Sequence, residues 1–191
     1  MPPRYKPQLS GSEKETVAAF NVTELFTERL YLRRPVEADA SSVISIAGDW
    51  EVARRLARIP HPYTESDFRF FMDRVVACEP TWGIVLRGTS ELIGVIGLAP
   101  HGESQSAELG FYVGRRYWGQ GFATEAGRAI VRAALDVTGY ARLTSGYHAD
   151  NQASGRVLTK LGFKLIGCSN RPCLAEGTDK PSIDVELLVT S

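Results

Sequence analysis

A glycine- and arginine-rich turn between a predicted strand and a long predicted helix constrains this chain more than any other feature. Residues 108–113 have the pattern of a strand, and from Phe122 to Val137 the apolar residues recur at helical spacing. The turn between them, residues 114–121, reads Gly-Arg-Arg-Tyr-Trp-Gly-Gln-Gly. Glycines let several backbone N–H groups approach an anion, and a helix N-terminus adds partial positive charge. The segment, with Arg115 and Arg116, therefore predicts a cradle for a diphosphate.

This turn differs from two common phosphate-binding motifs. The dinucleotide motif G-x-G-x-x-G is incomplete after Gly119 and Gly121 because residue 124 is Thr, and the sequence contains no G-x-x-x-x-G-K-[ST]. The alternative interpretation is an ordinary glycine-rich turn that binds nothing.

A predicted hairpin determines the fold class. Residues 82–87 and 91–98 have strand patterns and are joined by the short turn Gly88-Thr89-Ser90, so the two strands must be antiparallel. This argues against a purely parallel doubly wound sheet. Other strands are expected over residues 25–34, 142–147, 164–168 and 183–189, and helices near residues 37–47, 51–57, 64–75 and 151–161. We expect an α/β protein with a mixed, mostly antiparallel sheet and helices on both faces.

Length and composition bound the remaining choices. With 191 residues the chain suits one domain, which we place at residues 24–191 after a flexible N-terminal tail at residues 1–23. The 22 basic and 22 acidic side chains cancel, which argues against nucleic-acid binding. The three cysteines lack C-x-x-C spacing, and no apolar run approaches the roughly 20 residues of a membrane helix. We therefore expect a cytoplasmic protein without a membrane or metal partner.

Four stretches in sequence order resemble one known family. They are AELGFYVGRRYWGQGFATEA at residues 107–126, TERLYLRR at 27–34, IPHPYT at 59–64, and DNQAS with KLGF at 150–154 and 160–163. Together they resemble the GNAT superfamily of N-acetyltransferases, in particular its RimJ/RimL-like branch, over about residues 24–190. The resemblance specifies fold and co-substrate better than it specifies the acceptor.

The resemblance implies a GNAT fold, in which the sheet is splayed by a V-shaped wedge between strands 108–113 and 142–147. Acetyl-CoA would lie in this wedge as co-substrate, and its acetyl group would pass directly to a primary amine, either a protein N-terminal α-amine or a small-molecule amine. The implied co-substrate-binding residues are Phe111, Tyr112, Val113, Arg116, Trp118, Gly119, Gln120, Gly121, Phe122, Ala123 and Asn151. No metal is implied, and a homodimer is left open.

Ser154 is the candidate general acid. Residues 154, 157, 158 and 161 follow helical spacing, which places Ser154 on the buried side of the short helix. Many members of the family protonate the leaving thiolate with a tyrosine, but the matching position here is Leu158, and the RimL-like arrangement assigns this task to the serine. The alternative is that Asn151 caps the helix and Ser154 bonds the helix backbone.

The general base is left open among three candidates. The first candidate is Glu108, which lies beside the expected acyl site. The alternative to a catalytic role is that the Glu108 carboxylate is exposed to water or paired with an arginine. His148 titrates in a useful range, although a lone loop histidine usually lies on the surface. A water relay is the third.

Two further groups bear on the acceptor. Arg54, Arg55 and Arg58 form either a solvated helix face or the entrance of the acceptor site. His61 and Tyr63 are expected to line that site, because the family uses this region as a lid.

Two rival functions use the same turn. A non-catalytic module could bind acyl-CoA there, and a phosphate- or nucleotide-binding protein could hold a different anion.

Overall fold

The computed structural model describes residues 22–101, 105–137 and 140–188, with only the backbone at Val137. An eight-stranded sheet has the strand order β1-β2-β3-β4-β5-β6-β8-β7. The strands are β1 Glu24–Phe26, β2 Leu30–Arg33, β3 Thr81–Leu86, β4 Leu92–Pro100, β5 Ser106–Val113, β6 Arg142–His148, β7 Lys164–Cys173 and β8 Thr178–Leu188. Every neighbouring pair is antiparallel except β5 and β6, which are parallel. The predicted mixed, mostly antiparallel sheet is confirmed.

The helices lie between the strands. They are α1 Ala40–Gly48, preceded by a 3-10 turn at Glu37–Asp39; α2 Trp50–Ala53; α3 Glu65–Phe70, continued by a π-helical turn at Phe71–Val76; α4 Phe122–Val137; and α5 Gln152–Lys160. The sequence predicts a helix that starts at a Thr64 cap with Asp67 three residues on, and this start is confirmed. The Asp67 carboxylate accepts hydrogen bonds from the backbone N–H of Thr64 at 2.9 Å and from its hydroxyl at 2.6 Å. Helix α2 is shorter than the predicted 51–57.

The single strand predicted over residues 25–34 is instead two antiparallel strands, β1 and β2. Thr27 closes the turn between them, because its hydroxyl oxygen accepts a hydrogen bond from the Leu30 N–H at 2.9 Å. The Glu125 carboxylate of α4 accepts from the Thr27 hydroxyl at 2.6 Å and from the Arg29 N–H at 2.9 Å. The alternating pattern spans the turn without a break, so periodicity alone could not reveal the reversal.

The two faces of the sheet have separate cores. On one face, α4 and α5 pack on a cluster that includes Leu30, Ile96, Leu109, Ile130, Leu143 and Leu158. On the other face, α1 and the α3 segment pack on Val43, Phe68, Val85 and Val95, with Tyr112 beside them. Since side chains alternate along a strand, Glu108 and Gly110 share the face of Tyr112. This face forms the wall of the site described below.

Strands β5 and β6 separate soon after they meet. Among the described residues their pairing covers only Ser106–Glu108 against Arg142–Thr144. Beyond it, the Ser145 hydroxyl donates to the Leu109 carbonyl at 2.8 Å. The sheet therefore opens between β5 and β6, as the family resemblance predicted.

The proposed domain limits stay a prediction. Residues 1–21 of the expected tail lie outside the described residues, and the Val22 carbonyl accepts a hydrogen bond from Trp82 Nε1 at 3.2 Å. The sequence also predicts that the long helix beginning at Phe122 stops at Gly139, and this residue lies outside the described residues as well.

Candidate active site

The free edge of β5 faces the wedge. Gly114 donates its N–H to Ile93 of the preceding strand at 2.8 Å, so its backbone points toward β4. Because peptide groups alternate along a strand, those of Val113, Phe111 and Leu109 point into the wedge. The Leu109 carbonyl accepts from Ser145 at 2.8 Å, and the Val113 carbonyl accepts from Trp118 Nε1 at 2.7 Å. The peptide groups of Phe111 lie between them, where an amide-bearing ligand could pair with the strand.

The turn that joins β5 to α4 uses its glycines as predicted. Gly119 and Gly121 have φ values of +75° and +83°, a region that favours glycine. Helix α4 begins at Phe122, so the unpaired N–H groups of its first turn, including that of Ala123, lie at this turn. The backbone thus supplies the elements of an anion site.

The arginine side chains of the turn are oriented differently from the prediction. Arg116 pairs with Glu91 and lies 4.9 Å from the ring centre of Tyr117, whose hydroxyl donates to the same carboxylate at 2.6 Å. Arg116 would have to leave Glu91 to reach a bound diphosphate. Sequence reasoning missed Arg29, which donates to the Gln120 carbonyl at 3.1 Å. A residue so distant along the chain carries no local signal.

A Cβ atom at Gly121 would lie 3.5 Å from the Arg29 guanidinium. An aspartate at position 121 would therefore combine backbone strain with a new contact to a cation. A loss of CoA binding in a Gly121→Asp variant would therefore not by itself show that the turn binds the diphosphate.

Asn151 and Ser154 interact at the start of α5. Asn151 is buried, its side-chain oxygen accepts from the Ser154 N–H at 3.3 Å, and its Nδ2 donates to Ser154 Oγ at 2.9 Å. The helix-capping alternative for Asn151 is therefore confirmed. Since Ser154 Oγ is the acceptor in this contact, its own proton stays available for another partner.

A cavity of about 360 Å³ brings the two predicted catalytic residues together. It extends from the diverging strands β5 and β6 to the segment between α2 and α3. The polar and aromatic residues that line it include Arg55, Arg58, Tyr63, Glu79, Glu108, Tyr112, Tyr147, His148, Ser154 and Arg171. Leu158, the position at which the family resemblance implies a tyrosine in other proteins, also lines the cavity. A cavity of this volume is large enough for a small acceptor group beside the wedge.

Glu108 is paired with an arginine, as the alternative to a role as general base predicted. Arg171 of β7 donates to the Glu108 carboxylate at 2.5 Å and to the Asp184 carboxylate at 2.8 Å. Burial lowers the pKa of Arg171, but the two carboxylates outweigh this effect, so its pKa is raised. Gly146 permits the arrangement, because a Cβ there would lie 2.2 Å from the Arg171 guanidinium carbon. The Oε1 atom of Glu108 is therefore already occupied by the Arg171 guanidinium.

His148 is buried, so the expectation of a surface histidine is wrong. It is the last residue of β6, pairs in register with Ser182 of β8, and is 2% exposed. Its Nδ1 lies 3.1 Å from the Ser182 hydroxyl. Burial lowers the pKa of the imidazole, and the charge of Lys180 lowers it further. The neutral ring is therefore favoured, and it lines the cavity.

The three arginines near α2 do not form a solvated face. Arg54 lies 3.5 Å from Glu176 and 3.8 Å from Asp150. Arg55 pairs with Glu51 at 3.0 Å, and its guanidinium lies 5.1 Å from the ring centre of Trp118. Arg55 and Arg58 line the cavity.

Of the two residues expected to line the acceptor region, the structure places one there. Tyr63 is buried and lines the cavity, and its burial raises the pKa of its hydroxyl. His61 is exposed and packs edge-on against Trp50, with ring centres 5.1 Å apart.

Among residues 22–101, 105–137 and 140–188, no three His, Cys, Asp or Glu side chains are grouped to hold a metal ion. Within the same ranges, no helix has the length and apolar character needed to cross a membrane.

A splayed mixed sheet with a free β5 edge and a glycine turn before a helix defines a class of acyl-CoA-dependent acyltransferases. The family model described as "Acetyltransferase (GNAT) domain" matches residues 29–164. The chain belongs to this family, and it is an acetyl-CoA-dependent acyltransferase.

Relatives and solved structures agree with this assignment. The chain is 30% identical over 159 residues to "Uncharacterized N-acetyltransferase YoaA" of Bacillus subtilis, covering 81% of this chain and 90% of the relative. A GNAT-family acetyltransferase structure from Bacillus anthracis matches with a TM-score of 0.77 and 21% identity, covering 86% and 98% of the two chains. Mycobacterium smegmatis RimJ in complex with CoA-disulfide matches with a TM-score of 0.69 and 18% identity, covering 84% and 82%. At these identities, the two structures support the fold alone.

Proposed function

We propose that this protein transfers the acetyl group of acetyl-CoA directly to a primary amine, as a RimJ/RimL-like N-acetyltransferase. The observation that carries the proposal is that one cavity joins the free edge of β5 to Ser154 and to the carboxylates of Glu79 and Glu108. The branch rests on the sequence motifs that resemble it, and the RimJ structure shares the fold. The acceptor is a small-molecule amine or a protein N-terminal α-amine. The oligomeric state and the cytoplasmic location stay predictions.

The wedge edge and the α4 turn are the proposed binding site for acetyl-CoA. The pantetheine arm pairs with the backbone of Phe111 and Val113, and the diphosphate binds N–H groups between Arg116 and Ala123. The other proposed residues of the acetyl-CoA site are Tyr112, Trp118, Gly119, Gln120, Gly121 and Phe122. Asn151 contributes by holding Ser154 in place. The positive φ values of Gly119 and Gly121 and the orientation of the Phe111 peptide groups support this assignment.

In the reaction, the neutral amine nitrogen attacks the thioester carbonyl carbon. N–H groups of the Phe111 to Val113 segment polarise the carbonyl oxygen. The carbon–sulfur bond breaks, and the leaving thiolate takes a proton from Ser154 or from water, while the amine nitrogen loses a proton to a nearby base or to water. Glu108, His148 and a water relay stay open as that base, and the ion pair of Glu108 with Arg171 weakens the case for Glu108.

The identity of the amine decides how much a base contributes. Deprotonating a lysine-like amine at pH 7 costs about 4.6 kcal/mol, whereas an α-amine costs only about 1 kcal/mol. For an α-amine a water relay is sufficient.

Trp118 should report binding directly. Its indole N–H occupies the Val113 carbonyl that the pantetheine arm would use, so binding of CoA should displace the indole. We expect CoA to change the tryptophan fluorescence by roughly 10% or more, and Trp118→Phe to remove most of this change. The other two tryptophans should contribute a constant background, since Trp82 is buried and Trp50 is exposed and packs against His61. An equal change in the Trp118→Phe variant would show that pantetheine does not reach Val113.

Two measurements test the proposal against its rivals. Release of CoA from acetyl-CoA should require an amine in the mixture, whereas a binding module would release none. CoA should raise the Tm more than ATP does at equal concentration, whereas a nucleotide-binding protein would show the reverse.

A further inference from the structure

Glu79 is a buried carboxylate on the cavity wall that the reaction described above does not use. It is 6% exposed, and it lines the cavity. Among the described residues its ion-pair partner is Arg58, whose Nη1 lies 3.7 Å from Glu79 Oε1. This distance exceeds a normal hydrogen bond. Glu79 therefore carries a charge that is only partly compensated.

The backbone fixes Glu79 beside the reacting end of the cavity. The following residue, Pro80, accepts a hydrogen bond from the Leu98 N–H at 2.9 Å, and Ala99 is the register partner of Glu108. The Thr81 hydroxyl also donates to the Glu79 carbonyl at 3.0 Å. Glu79 and Glu108 consequently lie near each other on one wall of the cavity.

The two carboxylates have different partners. Glu108 has a close cationic partner, Arg171 at 2.5 Å, which it shares with Asp184, whereas the cationic partner of Glu79 lies at 3.7 Å. Burial raises the pKa of Glu79, Arg58 opposes this shift, and the neighbouring Glu108 carboxylate adds to it. Of the two, Glu79 is the one that a cationic ligand would stabilise most.

The cavity that Glu79 lines also has apolar side chains in its wall. They include those of Ile59, Pro60, Phe70, Phe71, Val75 and Leu174. An acceptor that fills the cavity would bury an apolar group against them and place its ammonium group at the Glu79 carboxylate, where an ammonium offers three donors.

We propose that Glu79 binds the ammonium group of the acceptor and that the acceptor is a primary amine on an apolar alkyl or arylalkyl group. This inference rests on the proposed function, because it assigns the acceptor of the same site. Glu79 is an acceptor-binding residue, and the amine loses its proton only as it moves to the thioester.

The test is an acceptor panel with wild-type protein and Glu79→Gln. The panel contains phenethylamine, hexylamine, spermidine, free glutamate and a peptide with a free N-terminus. We expect the highest kcat/KM for the two apolar amines. We expect Glu79→Gln to raise the KM of phenethylamine roughly ten- to hundredfold, with a smaller change in kcat and unchanged acetyl-CoA affinity. Glu65→Gln is the matched control, since Glu65 is exposed on α3 and pairs with Arg69 there.

A second measurement compares two ligands of the wild type, so its main result does not depend on the folding of the variant. Phenethyl alcohol has the shape of the amine without its charge, so as a competitive inhibitor of the wild type it should bind roughly tenfold more weakly than the amine. In Glu79→Gln this difference should disappear.

The outcomes separate the two proposals. A wild-type protein that acetylates no amine of the panel would refute the proposed function. Acetylation with an unchanged KM in Glu79→Gln, equal binding of the amine and the alcohol to the wild type, or a preference for spermidine, glutamate or the peptide would refute the role of Glu79 and leave the proposed function standing.

Discussion

Replacing Ser154 with alanine should lower kcat roughly ten- to thirtyfold at pH 7 and leave the Kd for acetyl-CoA within a few-fold. The CoA thiol has a pKa near that of cysteine, about 8.5, so expelling it without a proton at pH 7 costs only about 2 kcal/mol. An acid that removes this cost can contribute no more than a modest factor. Ser154 Oγ accepts from Asn151 and lines the cavity, so its proton is free for the thiolate.

The pH dependence and a control on the same helix distinguish acid catalysis from packing. The loss in Ser154→Ala should shrink above about pH 8.5, where the thiolate leaves without help. Thr159→Ala removes an exposed hydroxyl of α5 that donates to the Gly155 carbonyl at 2.9 Å, and it should keep full kcat. Full kcat in Ser154→Ala would reduce the serine to a packing residue. The acid would then be water or Tyr147, whose ring lies 2.7 Å from where a Cβ of Gly155 would be.

Gly94→Ala should destabilise the fold by about 3 kcal/mol or more, or prevent folding. A Cβ at Gly94 would lie 2.3 Å from the Tyr112 carbonyl oxygen and 3.0 Å from the Val113 Cα. Both are backbone atoms of β5, so no side-chain rotation can relieve the contact. Gly94 pairs with Val113 in the sheet. The clash would push β5 away from β4 near Val113, whose peptide groups face the wedge on the other side of the strand.

Chemical denaturation of Gly94→Ala beside Gly110→Ala measures this effect. Gly110 lies in the same strand pair, and an added Cβ there would have open space around it. Its substitution should change the free energy of unfolding by less than about 1 kcal/mol. Similar unfolding free energies for Gly94→Ala and the wild type would contradict the packing of β4 on β5.

Features determined by neighbours in the sequence were predictable. The Thr64 cap with Asp67, the limits of α4, and the glycines at positions 119 and 121 all follow from local backbone requirements. The hairpin β3–β4 followed from its short turn, and it fixed the fold class. The wedge between β5 and β6 was predicted from the family resemblance, since no local sequence pattern shows where two strands stop pairing.

Partners distant in the sequence were not predictable. Arg171 reaches Glu108 across 63 positions, and Arg29 reaches Glu125 across 96. Such pairs depend on which strands and helices the fold brings together, and a single sequence contains no signal for them. His148 was misjudged for the same reason, because its burial depends on β8. Glu79 was missed because it lies in a loop that resembles no motif.

Direct transfer to an amine is the central claim, and labelled acetyl-CoA tests it most directly. The protein is incubated with acetyl-CoA labelled in its acetyl group and with phenethylamine, hexylamine and a peptide with a free N-terminus. Mass spectrometry then follows the label in the amines and in the protein. We expect one labelled amide for each CoA released, with no lasting label on the protein. Binding of acetyl-CoA with no label in any amine would contradict the account.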